Sequence, residues 1–196
     1  YVESWCDAGI VCTWEARIAV LEEGRVKVTK SGTDRYVAQP GMTAIGRHLA
    51  KELDVKLQTR VASPVRSGER WKLEDDEATE LGAFDCVVIS APAPQAAELL
   101  ENAPNLASQC RQAEMSGCWA VMLAFDSPLD VPFDAAFVHE SPISWIARNS
   151  SKPSRDSHAE AWVVHGSPEW SDDHLERTPE EIVDELLEAF WKTIGT

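Results

Sequence analysis

The chain has 196 residues, 44% of them hydrophobic and 26% charged, with 33 acidic against 18 basic side chains and a net charge of −15. That length holds one large domain or parts of two, and the composition is that of an ordinary globular protein. So acidic a chain repels phosphate backbones and anionic lipid, making nucleic acid and membrane poor partners, and no apolar run approaches the roughly 18–20 residues that cross a bilayer.

The opening YVESWCDAGI is acidic and lacks the basic region of a signal peptide. The five cysteines, Cys6, Cys12, Cys86, Cys110 and Cys118, are odd in number and include no C-x-x-C. They suggest neither a disulfide framework nor a zinc site, so no metal is expected and a reducing cytoplasm fits best. Cys86 and Cys118 stand in apolar runs and are expected to be buried thiols.

In chain order, residues 1–9 read as the end of a helix closed by Gly9. Residues 11–14, 17–21 and 25–29 read as short strands, with a turn at Glu22-Glu23-Gly24 and a loop at residues 31–34. Met42, Ile45, Leu49 and Leu53 fall at helical spacing. Residues 55–61 alternate, with Val55, Leu57, Thr59 and Val61 on one face, as in a half-buried strand. Ser67-Gly68-Glu69-Arg70 is a turn, and Trp71-Lys72-Leu73 the return strand. Residues 84–90 are apolar enough for a strand buried on both faces of a parallel sheet. Pro92 and Pro94 end it and open a helix whose inner face is Ala96, Ala97, Leu99 and Leu100.

Beyond about residue 105 the character changes. Residues 119–125, 135–138, 143–147 and 161–165 read as strands of an antiparallel sheet. The last helix is the clearest element. Thr178 caps it, Pro179 takes its first position and Glu181 completes a T-x-x-E capping box. Ile182, Val183, Leu186, Leu187, Phe190 and Trp191 form its expected buried stripe.

Candidate chemistry gathers at a few positions. Ala91 and Pro92 occupy the carboxyl end of the expected parallel strand, where α/β sheets bind ligands; a plain strand-to-helix turn is the alternative. Val61 ends a strand and can offer its backbone to a base edge, or be a core valine. His165 ends the apolar strand WVVHGS, where its pKa suits proton exchange or hydrogen bonding; a satisfied structural histidine is the alternative. The segment WIARNSSKP, residues 145–153, joins a strand to a loop with two cations and several donors. It can bind an anionic or nucleotide-like substrate, or be an ordinary sheet edge. His48, His139, His158 and His174 receive no role. The sequence contains no G-x-S-x-G, P-loop, H-E-x-x-H or EF-hand pattern.

RYVAQPGMTAI at residues 35–45 resembles the start of the central region of renalase-like, FAD-dependent oxidoreductases of the amine-oxidase type. TRV at 59–61, WKL at 71–73, FDCVVI at 84–89, APAPQ at 91–95, WIARNSSKP at 145–153 and WVVH at 162–165 follow in that family's order. The resemblance implies an α+β and α/β flavoprotein with two domains. Residues 54–104 would be part of an FAD-binding Rossmann-like domain, and residues 1–53 and 105–196 two parts of an antiparallel-sheet substrate domain. FAD would be the cofactor, with Val61 touching its adenine through the backbone and Ala91 and Pro92 beside it. His165 would be the catalytic and substrate-lining residue, accompanied by Trp145, Arg148 and Asn149. The substrate would be a small molecule, an amine or a dihydronicotinamide. The chain opens on Tyr1 and no G-x-G-x-x-G can be built from its ten glycines. It is therefore expected to be an internal portion of a larger enzyme. The other reading is a non-catalytic ligand-binding module that keeps the fold without flavin.

Overall fold

The computed structural model describes residues 1–22, 25–29, 33–155 and 158–195. The turn expected at Glu22-Glu23-Gly24 and the start of the loop at residues 31–34 lie outside the described residues. The fold is α+β, built from antiparallel and mixed sheets. It divides into two compact units, Tyr1–Leu53 with Ser116–Thr196, and Asp54–Met115.

In the first unit, helix α1 (Val2–Asp7) ends at Gly9, whose φ of +67° is the left-handed conformation that suits glycine. Strands β1 (Val11–Thr13) and β4 (Tyr36–Ala38) pair antiparallel, and α2 (Thr43–Leu49) follows. A six-stranded sheet runs in the order β3 (Arg25–Thr29), β2 (Ile18–Glu22), β9 (Ala135–Val138), β10 (Ile143–Arg148), β11 (Glu160–Gly166), β8 (Ala120–Phe125). Neighbours are antiparallel except β2 and β9, which run parallel.

Alternation along these strands separates two faces. Ala19, Leu21, Val121, Ala136, Ile146, Trp162 and Val164 form the main core with α6 (Pro179–Ile194). The capping box at Thr178 and Glu181 is present in full. Of the expected stripe, Ile182, Leu186 and Phe190 are fully buried, whereas Val183 is exposed. The opposite face holds Ile18, Ala135, Ala147, Trp145 and Val163, partly covered by Trp14 and Val37 from the β1–β4 pair. Helix α5 (Pro168–Asp173) was not anticipated, although Ser167 caps it and Pro168 takes its first position.

The second unit is a meander of β5 (Val65–Ser67), β6 (Arg70–Glu74) and β7 (Glu80–Phe84), with α3 (Ala93–Leu99) and α4 (Pro104–Cys110). Gly68 turns β5 into β6 at φ +63°. Two expected strands do not form. Residues 55–60 are irregular, with Val61 in an isolated bridge to Asp75, and β7 ends at Phe84, where the second strand was expected to begin. A parallel strand satisfies its backbone only through neighbours, and among the described residues no strand pairs with residues 55–60 or 85–90. Leu57 and Val88 consequently remain 80% and 86% exposed. Cys86, within the second segment, and Cys118, just ahead of β8, are exposed and not the buried thiols expected.

Candidate functional site

The open face of the six-stranded sheet carries the concentration of functional side chains in the first unit. Register sets them in one row. Trp145 lies opposite Phe137 on β9 and opposite His165 on β11, and His165 lies opposite Ala120 on the edge strand β8. The rings of Phe137 and Trp145 meet with centroids 4.6 Å apart. Above them sits the Arg35 guanidinium, 5.8 Å from the Phe137 centroid and 6.0 Å from that of Trp145. Two expected site residues, Trp145 and His165, are thus direct cross-strand neighbours.

His165 is half-buried, and its ring has no hydrogen-bond partner among the described residues. Its pKa lies below the ordinary imidazole range, first because burial penalises the cation and second because the Lys152 charge is near. The imidazole is therefore neutral at physiological pH, with one donor and one acceptor nitrogen available to a ligand.

Lys152 is one of the two cations of the 145–153 segment. Its Nζ donates to Asn149 Oδ1 at 3.3 Å and lies 5.3 Å from the Trp14 ring. Its pKa is pushed down, by burial first and by Arg155 second. The 3₁₀ turn Asn149–Ser151 sets this geometry. Ser151 Oγ accepts from Trp14 Nε1 at 3.1 Å and donates to the Arg148 carbonyl at 2.7 Å, pinning turn and indole together. Asn149 thereby positions Lys152.

Arg148 departs from expectation. Its side chain lies on the other face, against the α6 core. There its Nη1 is 3.3 Å from Glu160 Oε2, Nη2 donates to the Leu129 carbonyl at 3.2 Å, and the guanidinium lies 5.0 Å from the Trp162 ring. The structure does not bring Arg148 to Trp145 and His165. Adjacent residues on a strand point to opposite faces, and the bulge between Ile143 and Trp145 fixes which residues face which way.

The remaining expected residues lie in the second unit. The bridge of Val61 to Asp75 is held by the residues on either side: Ala62 N–H donates to the Glu74 carbonyl at 2.9 Å, and Asp76 N–H to the Arg60 carbonyl at 3.0 Å. The Val61 N–H and C=O themselves have no partner among the described residues. Ala91 and Pro92 are exposed at the start of α3, with Pro92 as its N-cap. Their small side chains leave the backbone approachable. The unit also holds a cleft of about 160 Å³ between Trp71, Cys86, Ile89, Leu99 and Leu106.

Phe137 and Arg35 were given no role by the sequence. Alternation along residues 135–138 places Phe137 with Ala135, but nothing in the sequence reveals that β9 lies between β2 and β10.

No family model matches the chain. Solved structures do. One is a protein from Exiguobacterium sp. 255-15 provisionally named protoporphyrinogen oxidase, 18% identical, with 85% of this chain and 38% of that chain covered at a TM-score of 0.65. Another is putrescine oxidase in its wild-type form bound to putrescine, 15% identical over 83% of this chain and 36% of that one, TM-score 0.60. A third, from Pyrococcus furiosus, is 12% identical over 81% and 41%, TM-score 0.61. At these identities the likeness is one of fold. The chain spans about two fifths of the length of the structures it matches.

Proposed function

We propose that the protein acts as an FAD-dependent oxidoreductase, with the open face of the six-stranded sheet as its substrate side and the second unit contributing to the cofactor side. The observation that carries this reading is the row Phe137–Trp145–His165, in which an unpartnered, neutral imidazole stands beside an aromatic pair. Support comes from the fold shared with proteins named as oxidases and from the sequence resemblance to renalase-like flavoproteins. Flavin, when bound, supplies the hydride acceptor.

The chain's own residues have simpler tasks. The free Val61 N–H and C=O would meet the adenine edge, and Ala91 and Pro92 would leave room for the cofactor. Trp145 and Phe137 would exclude water. His165 would orient an amine or dihydronicotinamide substrate, and as a neutral base could hold a proton lost from it. An electron-rich substrate needs no protein base for hydride loss, so His165 is a contributor and not an absolute requirement. In the flavin-loaded protein, His165→Ala should leave FAD content unchanged and slow anaerobic flavin reduction by roughly 10- to 1,000-fold, as for one lost positioned group. A wild-type rate in stopped flow would return His165 to a structural role.

A further inference from the structure

We propose that the open sheet face takes an anionic small molecule, a carboxylate or a phosphate, with Lys152 as its charge anchor and His165 and Trp145 flanking it. This rests on the reading of that face as the substrate side and adds the substrate's charge.

In a chain with 33 acids against 18 bases, some cations are paired with carboxylates. Arg17 pairs with Asp134, Lys27 with Glu22, Arg70 with Asp85, Arg148 with Glu160, and Arg177 with Glu181 and Glu185. Others, such as Lys72, Arg111 and Lys192, stand exposed with no carboxylate partner among the described residues, whereas the cations of the open face lack one while partly buried. Among the described residues, Lys152, Arg155 and Arg35 pair with no carboxylate. Arg155 donates to the carbonyls of Ala38, Pro40 and Pro153. Arg35 lies over Phe137 and Trp145, and its buried Nε has no partner. Lys152 has one neutral acceptor, Asn149 Oδ1, and the Trp14 ring.

A half-buried ammonium without a counter-charge is costly to keep ionised. The depressed pKa values of Lys152 and His165 have that origin, each owing a share to a neighbouring cation. A bound anion would offset both. A cationic ligand meets the reverse. The aromatic surfaces that could hold it by cation–π contact are taken by the protein's own Arg35 and Lys152. Putrescine, present in one structure of similar fold, is thus a poor fit to these residues.

The test uses the 196-residue chain without flavin, observing the His165 imidazole by NMR. Benzoate and phenyl phosphate are the two anionic probes, benzyl alcohol the neutral one, and benzylamine and putrescine the cationic ones. At least one anion should bind about tenfold or more tightly than benzyl alcohol, as expected for one charge-assisted contact, and should raise the His165 pKa. Preference for benzoate points to a carboxylate, preference for phenyl phosphate to a phosphate. Lys152→Gln should abolish the anion preference, whereas Lys72→Gln on the exposed side of β6 should not. Should Lys152→Gln fail to fold, the pKa rise in the wild-type chain still decides. Equal binding of benzyl alcohol, no anion binding, or a retained preference in folded Lys152→Gln overturns the proposal. Anion binding together with a flavin-loaded protein that no anionic substrate reduces would sink the oxidoreductase reading instead.

Discussion

Removing the Glu160 carboxylate should be among the most damaging single changes to the first unit. Glu160 is only 8% exposed. Its Oε1 accepts from Trp162 Nε1 at 2.7 Å and from Leu129 N–H at 3.0 Å, while Oε2 lies 3.3 Å from Arg148 Nη1. Glu160→Ala leaves a largely buried guanidinium without its counter-charge, and breaking a buried pair from one side costs about 3–5 kcal/mol. The buried Trp162 N–H and the part-buried Leu129 N–H lose their acceptor as well, which places the loss toward the upper end of that range. Against a typical domain stability of about 5–15 kcal/mol, the first unit would be close to unfolding. Urea titration followed by tryptophan fluorescence measures it, because Trp71 alone of the eight tryptophans lies in the second unit. With a slope of about 2 kcal/mol per molar, the midpoint should fall by about 2 M. The double replacement Arg148→Met with Glu160→Leu should lose less than Glu160→Ala, since no uncompensated charge remains. Glu22→Ala, which breaks the exposed pair with Lys27, should change stability by under about 1 kcal/mol. A loss below about 1 kcal/mol for Glu160→Ala, or a double variant worse than the single, would refute the reasoning.

The pH response of His165 carries a definite sign. Its folded-state pKa is lowered, so folding disfavours the proton: nothing is lost well above the ordinary value of about 6.5, and stability falls as pH drops through it. His165→Gln should therefore lose less stability than wild type between pH 7 and pH 5, and superimposable profiles would contradict the burial of the imidazole. In the flavin-loaded protein, Val61→Asp should lower FAD content by setting a charge beside the adenine, whereas Val26→Thr on the exposed part of β3 should not; equal flavin in both purified variants would remove Val61 from the cofactor site.

Local chemistry was legible from the sequence. The Thr178–Glu181 capping box, the turn at Gly68 and the strands of the main sheet rest on short-range rules, and the structure contains them. Apolar spacing also identified Ile182, Leu186 and Phe190 as core, because a helix's buried face repeats within one segment. What sequence periodicity leaves open is the neighbour. Residues 55–61 and 84–90 have the composition of strands, yet a strand exists only when another backbone accepts its hydrogen bonds, and apart from the bridge at Val61 and the pairing of Phe84 the described residues supply no such neighbour. Arg148 and Trp145 stand in one motif, but the bulge and the two faces of β10 send Arg148 to Glu160 and Trp145 to His165. The row Phe137–Trp145–His165 exists only because strands far apart in sequence lie side by side, a long-range pairing that residue-by-residue preference does not encode.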